Sequence, residues 1–175
     1  MITERVMQLR RDQGLLGILT PAPPSKAAGV ACVLMNAGVV HRIGPHRLNV
    51  KLARHLAGIG LSTIRLDLSG LGDSKPEGST RSFSDQAVVD IRAAMDQMER
   101  MHGTRRFIVS GLCSGAAVSF RAALADNRVV GLQMLDPYAY RTRAAMYRYY
   151  LSRMRLAEAW SGAVANMIRP QAGGE

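Results

Sequence analysis

With 175 residues, 47% of them hydrophobic and 21% charged, the chain is sized for one domain around one core. Its net charge of +10 rests on 23 basic residues, almost all arginine, which scatter along the chain instead of clustering with aromatics, so nucleic-acid binding is not expected. The most apolar run, Val30 to Val40, is interrupted by Asn36 and Gly38 and falls far short of the roughly 20 residues of a membrane span.

The first twenty residues carry Glu4, Arg5, Arg10, Arg11 and Asp12 and lack the uninterrupted apolar centre of a secretory signal. A cytoplasmic protein is expected. Cys32 and Cys113 stand far apart in apolar surroundings, a spacing that suggests neither a disulfide framework nor a metal site.

From Glu4 to Thr20 two short strands flank the turn Arg11-Asp12-Gln13-Gly14, the pattern of a hairpin. The prolines of Pro21 to Lys26 cannot continue a ladder and mark a loop. Gly29 to Met35 is apolar on both faces, as in a buried parallel strand, and ends in the glycine-containing loop Asn36 to His41. A helix is predicted over Arg47–Ile59, with Leu48, Leu52 and Leu56 on one face and Gly60 as its stop. Ser62 to Asp67 reads as a strand closing in Gly70-Leu71-Gly72-Asp73-Ser74, and a helix begins at Ser84-Asp85 and runs to Met101.

Arg106 to Ser110 is a further strand, followed at once by Gly111-Leu112-Cys113-Ser114-Gly115 and a helix from Ala116 to Ala125. Val129 to Leu135 makes one more strand, ending at Asp136-Pro137. Strict alternation of strand and helix predicts a mostly parallel α/β sheet. After Arg141 the pattern turns helical, with Tyr147, Leu151, Met154, Trp160 and Val164 as apolar positions before a loose tail. The expected division is a core over 1–140, a cap-like helical segment over 141–170 and a tail over 171–175.

The pentapeptide centred on Cys113 lies between a strand and a helix, the context in which a G-x-nucleophile-x-G sequence carries chemistry. Its glycines permit a tight turn that exposes the central side chain at the carboxyl end of the sheet, where the following helix N-terminus favours an anion. Cys113 is the candidate nucleophile. Centring the motif on Ser114 would leave Leu112 where the first glycine belongs. The plain alternative is a glycine-rich turn holding an inert thiol.

At these residues the chain resembles the α/β-hydrolase superfamily, a likeness shared by the hairpin, the Asn36–His41 loop and the segment Arg65 to Ser74. Within it the chain is most similar to the exosortase-associated hydrolases, through His41-Arg42-Ile43-Gly44-Pro45-His46-Arg47, the Gly-Leu-Cys elbow and Tyr149-Tyr150-Leu151. The resemblance implies an N-terminal antiparallel hairpin plus about four parallel strands with flanking helices, and a chain that stops before the family's last strands. It also implies acyl transfer: Cys113 attacks a carbonyl, and backbone N–H groups of Ser114 and of Val39 or Val40 hold the oxyanion.

The superfamily's order is nucleophile, acid, histidine, yet no histidine follows His102. His41 is the one histidine expected at the active edge and could serve out of order, because triads are defined by geometry. Asp136, at the end of a strand next to the elbow, could orient it, or simply close an Asp-Pro turn. His46, His55 and His102 read as surface residues, and Cys32 as a small buried hydrophobe. Gly70 and Gly72 lack the third glycine and the helix of a dinucleotide loop.

The expectation is therefore hydrolysis of a small carboxylester or thioester, with no cofactor and no metal. The competing reading is a truncated, inactive homologue that works as a binding module, either as a homo-oligomer or with a partner chain covering the missing C-terminal part. A nucleotide or nucleic-acid binder is supported by the charge alone.

Overall fold

The computed structural model describes residues 3–10, 14–137 and 142–154. The turn expected at 11–13, the helical positions Trp160 and Val164, and the tail lie outside the described residues. Contacts divide the chain into two units, Met1–Tyr138 and Ala139–Glu175. Of the second unit, one helix is described, α4 over Arg143–Met154.

In the first unit, six strands form a single sheet: β1 (Arg5–Arg10), β2 (Leu15–Thr20), β3 (Ala31–Met35), β4 (Ser62–Leu66), β5 (Phe107–Leu112) and β6 (Val129–Leu135). Their spatial order is β1-β2-β4-β3-β5-β6. β1 and β2 are the antiparallel hairpin, β2 runs antiparallel to β4, and β3, β4, β5 and β6 are parallel. The sheet is the mixed, mostly parallel one that the alternation implied.

The pleat decides which face each side chain serves. Val33, Ile64, Leu66 and Val109 face the two helices α2 (Phe83–His102) and α3 (Ser114–Ala125), meeting Ile91, Met95, Met98 and Ala122 in the main core. Cys32 and Leu34 point the other way, onto Ala53 of α1 (Leu48–Gly58), in a second and smaller cluster. All five side chains of β3 are buried, as its doubly apolar sequence requires.

Three helix starts differ from the sequence expectations in ways that the local structure explains. α2 starts at Phe83 because Ser82 caps it, its Oγ accepting the Asp85 amide at 3.2 Å. α1 starts at Leu48 because a 3₁₀ turn over Pro45–Arg47 precedes it, with His46 and Arg47 both at positive φ. α3 starts at Ser114, immediately after Cys113, while β5 extends to Leu112. The elbow thus has no slack between strand and helix.

Candidate functional site

The carboxyl ends of β3, β4, β5 and β6 come together around the elbow. Cys113 has φ 56° and ψ −118°, a conformation that an L-residue adopts only at a cost of about 1–3 kcal/mol. The surrounding packing enforces it. A Cβ on Gly111 would lie 2.2 Å from the Gly115 carbonyl oxygen, and one on Gly115 would lie 2.2 Å from the Asn36 carbonyl oxygen. Both glycines are therefore required by close backbone approach, and the second seats the elbow against the end of β3. The Cys113 amide donates to the Leu135 carbonyl at 2.8 Å, which ties the turn to the end of β6. Cys113 is half-buried, whereas Cys32 is buried and desolvation pushes its thiol up to about 12.

The loop after β3 is clamped to this turn. The Gly38 amide donates to Ser114 Oγ at 2.6 Å, so the Ser114 hydroxyl is engaged as an acceptor beside the elbow. Val40 N donates to the Ala37 carbonyl at 3.0 Å within a turn, and Val39 is exposed. Asn36 braces the loop from below: its Nδ2 reaches the Leu66 carbonyl at 3.3 Å and its Oδ1 accepts Asn49 Nδ2 at 2.6 Å.

Among the remaining expected site residues, Asp136 directly follows Leu135, is exposed and has φ 49°. Its backbone is thereby brought beside Cys113. His41 is exposed in the loop after β3, where its carbonyl accepts the Gly44 amide at 3.0 Å. Among the described residues, no hydrogen bond joins His41 or any other imidazole to Cys113.

Asp67, just past β4, is a feature that the sequence reading left without a role. Fully buried, it accepts the Arg42 amide at 2.6 Å and the Asp73 amide at 3.1 Å, and its Oδ2 pairs with the Arg42 guanidinium. Arg42 also reaches Asp73 at 2.6 Å. Burial works against the charge of Arg42, but the hydrogen bonds that it donates to Asp73 and Asp67 hold its pKa above the ordinary value. One carboxylate thus fastens two active-edge loops together. The signal in the sequence was Gly72: with φ 52°, its missing Cβ would lie 2.4 Å from Asp67 Oδ2.

Among the described residues no group of three or more His, Cys, Asp or Glu could hold a metal ion, and no helix is long and apolar enough to cross a membrane. The arrangement offers an exposed-edge thiol, helix-N-terminal amides and a braced loop carrying further amides. Chemically, a thiol can attack a carbonyl and backbone amides can hold an oxyanion.

Comparison with known proteins agrees with this fold. A lidless α/β serine hydrolase of Xanthomonas campestris superposes with a TM-score of 0.63 at 20% identity, over 81% of this chain and 63% of its own. An α/β serine hydrolase homologue from Coxiella burnetii gives 0.61 at 20% identity, over 77% and 62%. An esterase of Pyrococcus furiosus gives 0.66 at 14% identity, over 85% and 62%. The chain spans less than two thirds of the length of these structures. A search of curated protein sequences finds no match. The family described as serine aminopeptidase, S33, matches residues 35–172, from the last residue of β3 through the elbow and beyond. With that match covering most of the sequence, and the sheet order and the strained elbow in place, the chain belongs to the serine aminopeptidase S33 family of α/β-hydrolases.

Proposed function

We propose that the chain is an acyl hydrolase acting on a small carboxylester or thioester, with Cys113 as its nucleophile. The observation that carries this reading is the strained backbone of Cys113 between two glycines that tolerate no side chain. A turn that costs free energy and is held so tightly is what presents a nucleophile at a sheet edge. The engagement of the Ser114 hydroxyl by the Gly38 amide further favours the thiol over its neighbour.

In this mechanism Cys113 Sγ attacks the carbonyl carbon and gives up its proton to a base, for which His41 is assigned. The tetrahedral oxyanion is held by the Ser114 and Val39 amides; Val40 is the weaker choice, because its amide is already spent on Ala37. The bond from carbon to the alkoxy or thiolate leaving group breaks, and the leaving group takes the proton from the base. Water then attacks the thioester, releasing the acid and restoring the thiol. Asp136 is assigned to orient the base. Residues 1–140 carry this chemistry, and residues 141–170 are assigned the choice of acyl group. A cytoplasmic setting belongs to the same reading, supported by two cysteines that stand as free thiols.

A second reading, a binding module without turnover, is favoured by the lack of any imidazole bonded to Cys113 among the described residues. In it, a second copy of the chain would cover the outer edge of β6, where Val130, Met134 and Leu135 are exposed. Release of nitrophenol from p-nitrophenyl butyrate separates the two. Steady release that is lost in Cys113→Ala and His41→Ala supports the complete mechanism, and a burst of about one equivalent lost only in Cys113→Ala supports the thiol with a different base. No release, from a chain that sediments as a dimer, supports the second reading and refutes the first.

A further inference from the structure

A cavity of about 570 Å3 opens on the α1 side of the sheet, between the β1–β2 hairpin, the loop before α1, and α1 itself. Five arginines line it, Arg5, Arg42, Arg47, Arg54 and Arg65, against the single acid Glu4. Their positions follow from the pleat and the helix period. Arg65 of β4 lies opposite Ile18 of β2, which in turn pairs with Val6, so these side chains share the face that α1 covers with Val50 and Arg54.

The charges do not balance. Glu4 serves two arginines at once, meeting Arg54 Nε at 3.2 Å and Arg65 Nη2 at 3.0 Å. Arg42 is taken by Asp67 and Asp73. Arg5 and Arg47 make no ion pair among the described residues. Arg65 is 2% exposed, and its Nε is buried with no hydrogen-bond partner. A guanidinium withdrawn from water and incompletely satisfied is costly, and it is stabilised by further negative charge nearby. Desolvation, followed by the repulsion of Arg54 and Arg42, acts to lower the Arg65 pKa despite Glu4. α1 adds to the positive field, since its first turn carries no acidic residue and no side-chain cap.

The rest of the wall is aliphatic: Val6, Ile18, Ile43 and Val50. The cavity is far larger than an inorganic ion and lies in the range that holds small organic ligands. Counting the carboxylates already paired, the arginines leave an excess of two positive charges, which matches a dianion better than a monocarboxylate. We propose that this arginine-lined cavity binds the phosphate group of a phosphorylated small molecule whose apolar body rests on the aliphatic wall. Arg5 and Arg47, exposed and without ion pairs among the described residues, are the residues that close on the phosphate, over the positive floor made by Arg54 and Arg65. The site is separate from Cys113, although one loop serves both: Gly38 touches the elbow helix, and Arg42, Ile43 and Arg47 line the cavity.

Calorimetric titration of the full chain at about 50 mM salt, where charge contacts are weakly screened, tests this directly. Phenyl phosphate is the probe, benzoate its carboxylate counterpart and inorganic phosphate its headgroup. Saturable binding of phenyl phosphate is expected, tighter than either of the others. In Arg5→Gln/Arg47→Gln it weakens by about tenfold or more, with the thermal midpoint of the free protein unchanged, because neither residue supports the fold through an ion pair. Arg100→Gln, at an exposed arginine whose hydrogen-bond partner among the described residues is Gln97, and Cys113→Ala both retain full affinity. Binding that is undiminished in the double variant overturns the proposal, as does benzoate binding as tightly as phenyl phosphate. So does a failure of phenyl phosphate to saturate the unmodified chain. Because Cys113→Ala keeps this site intact, failure of the acyl-hydrolase reading leaves the result standing.

Discussion

At the elbow, a strained cysteine stands between two glycines that close backbone approach requires. Because Cys113 holds a backbone conformation that glycine adopts at little cost, Cys113→Gly is expected to raise stability by about 1 kcal/mol while removing the thiol. Gly115→Ala is expected to do the reverse. Its Cβ would press on the Asn36 carbonyl oxygen at 2.2 Å, and backbone cannot give way as a flexible side chain can, so a loss of about 2–4 kcal/mol is expected. Urea midpoints of the two variants check both signs. A Cys113→Gly protein no more stable than the parent would mean that the elbow stores no strain. The same opposition fits the role proposed for Cys113: presentation of a side chain at a sharp turn is obtained at the expense of local stability, and the packing around it must make up the difference.

At the scale of elements, the strands and helices were legible because their periodicities are strong. β3 is apolar throughout and buried throughout, and Ile91, Met95 and Met98 share the face of α2 that meets the sheet. The elbow was legible too, because its glycine spacing means little except between a strand and a helix. The role of Asp67 was not, since a carboxylate after a strand looks like any loop residue until Gly72 folds back over it. Nor was the arginine cavity, whose side chains come from β1, β4, α1 and the intervening loop and converge only through strand register. Charge count alone reported an excess and gave no position for it.

Ion pairs between elements carry a pH dependence with a definite sign. Asp126, after α3, lies against Arg128, which also reaches Asp96 and Glu99 of α2, each at 2.8 Å, and stands 5.9 Å from the centre of the Phe107 ring. The Arg128 hydrogen bond holds the Asp126 carboxyl below its ordinary pKa, outweighing burial, and Arg128 is raised in turn. A depressed carboxylate stabilises the fold above its unfolded pKa of about 4, and the contribution is lost as pH falls through the folded value. Asp126→Asn is accordingly expected to cost roughly 1–2 kcal/mol at neutral pH, with the gap to the parent narrowing near pH 3. Unfolding curves at the two pH values measure it, and a gap that stays constant would show that the carboxylate charge is not what Arg128 needs.

At the scale of the whole molecule, the sheet order brings distant segments to one edge. β3 ends in a loop that meets the elbow after β5, and the elbow amide is bonded to the end of β6. The α/β-hydrolase fold follows from this architecture and the S33 family from the sequence match, while the proposed chemistry rests on one thiol. The most direct test is to expose the protein to p-nitrophenyl butyrate, quench it in acid and map the butyryl group by peptide mass spectrometry. A single butyryl thioester on Cys113, absent from Cys113→Ala, is the result predicted. A butyryl group on Ser114 or Ser110, or none on any residue of a chain whose fold is intact, would contradict it.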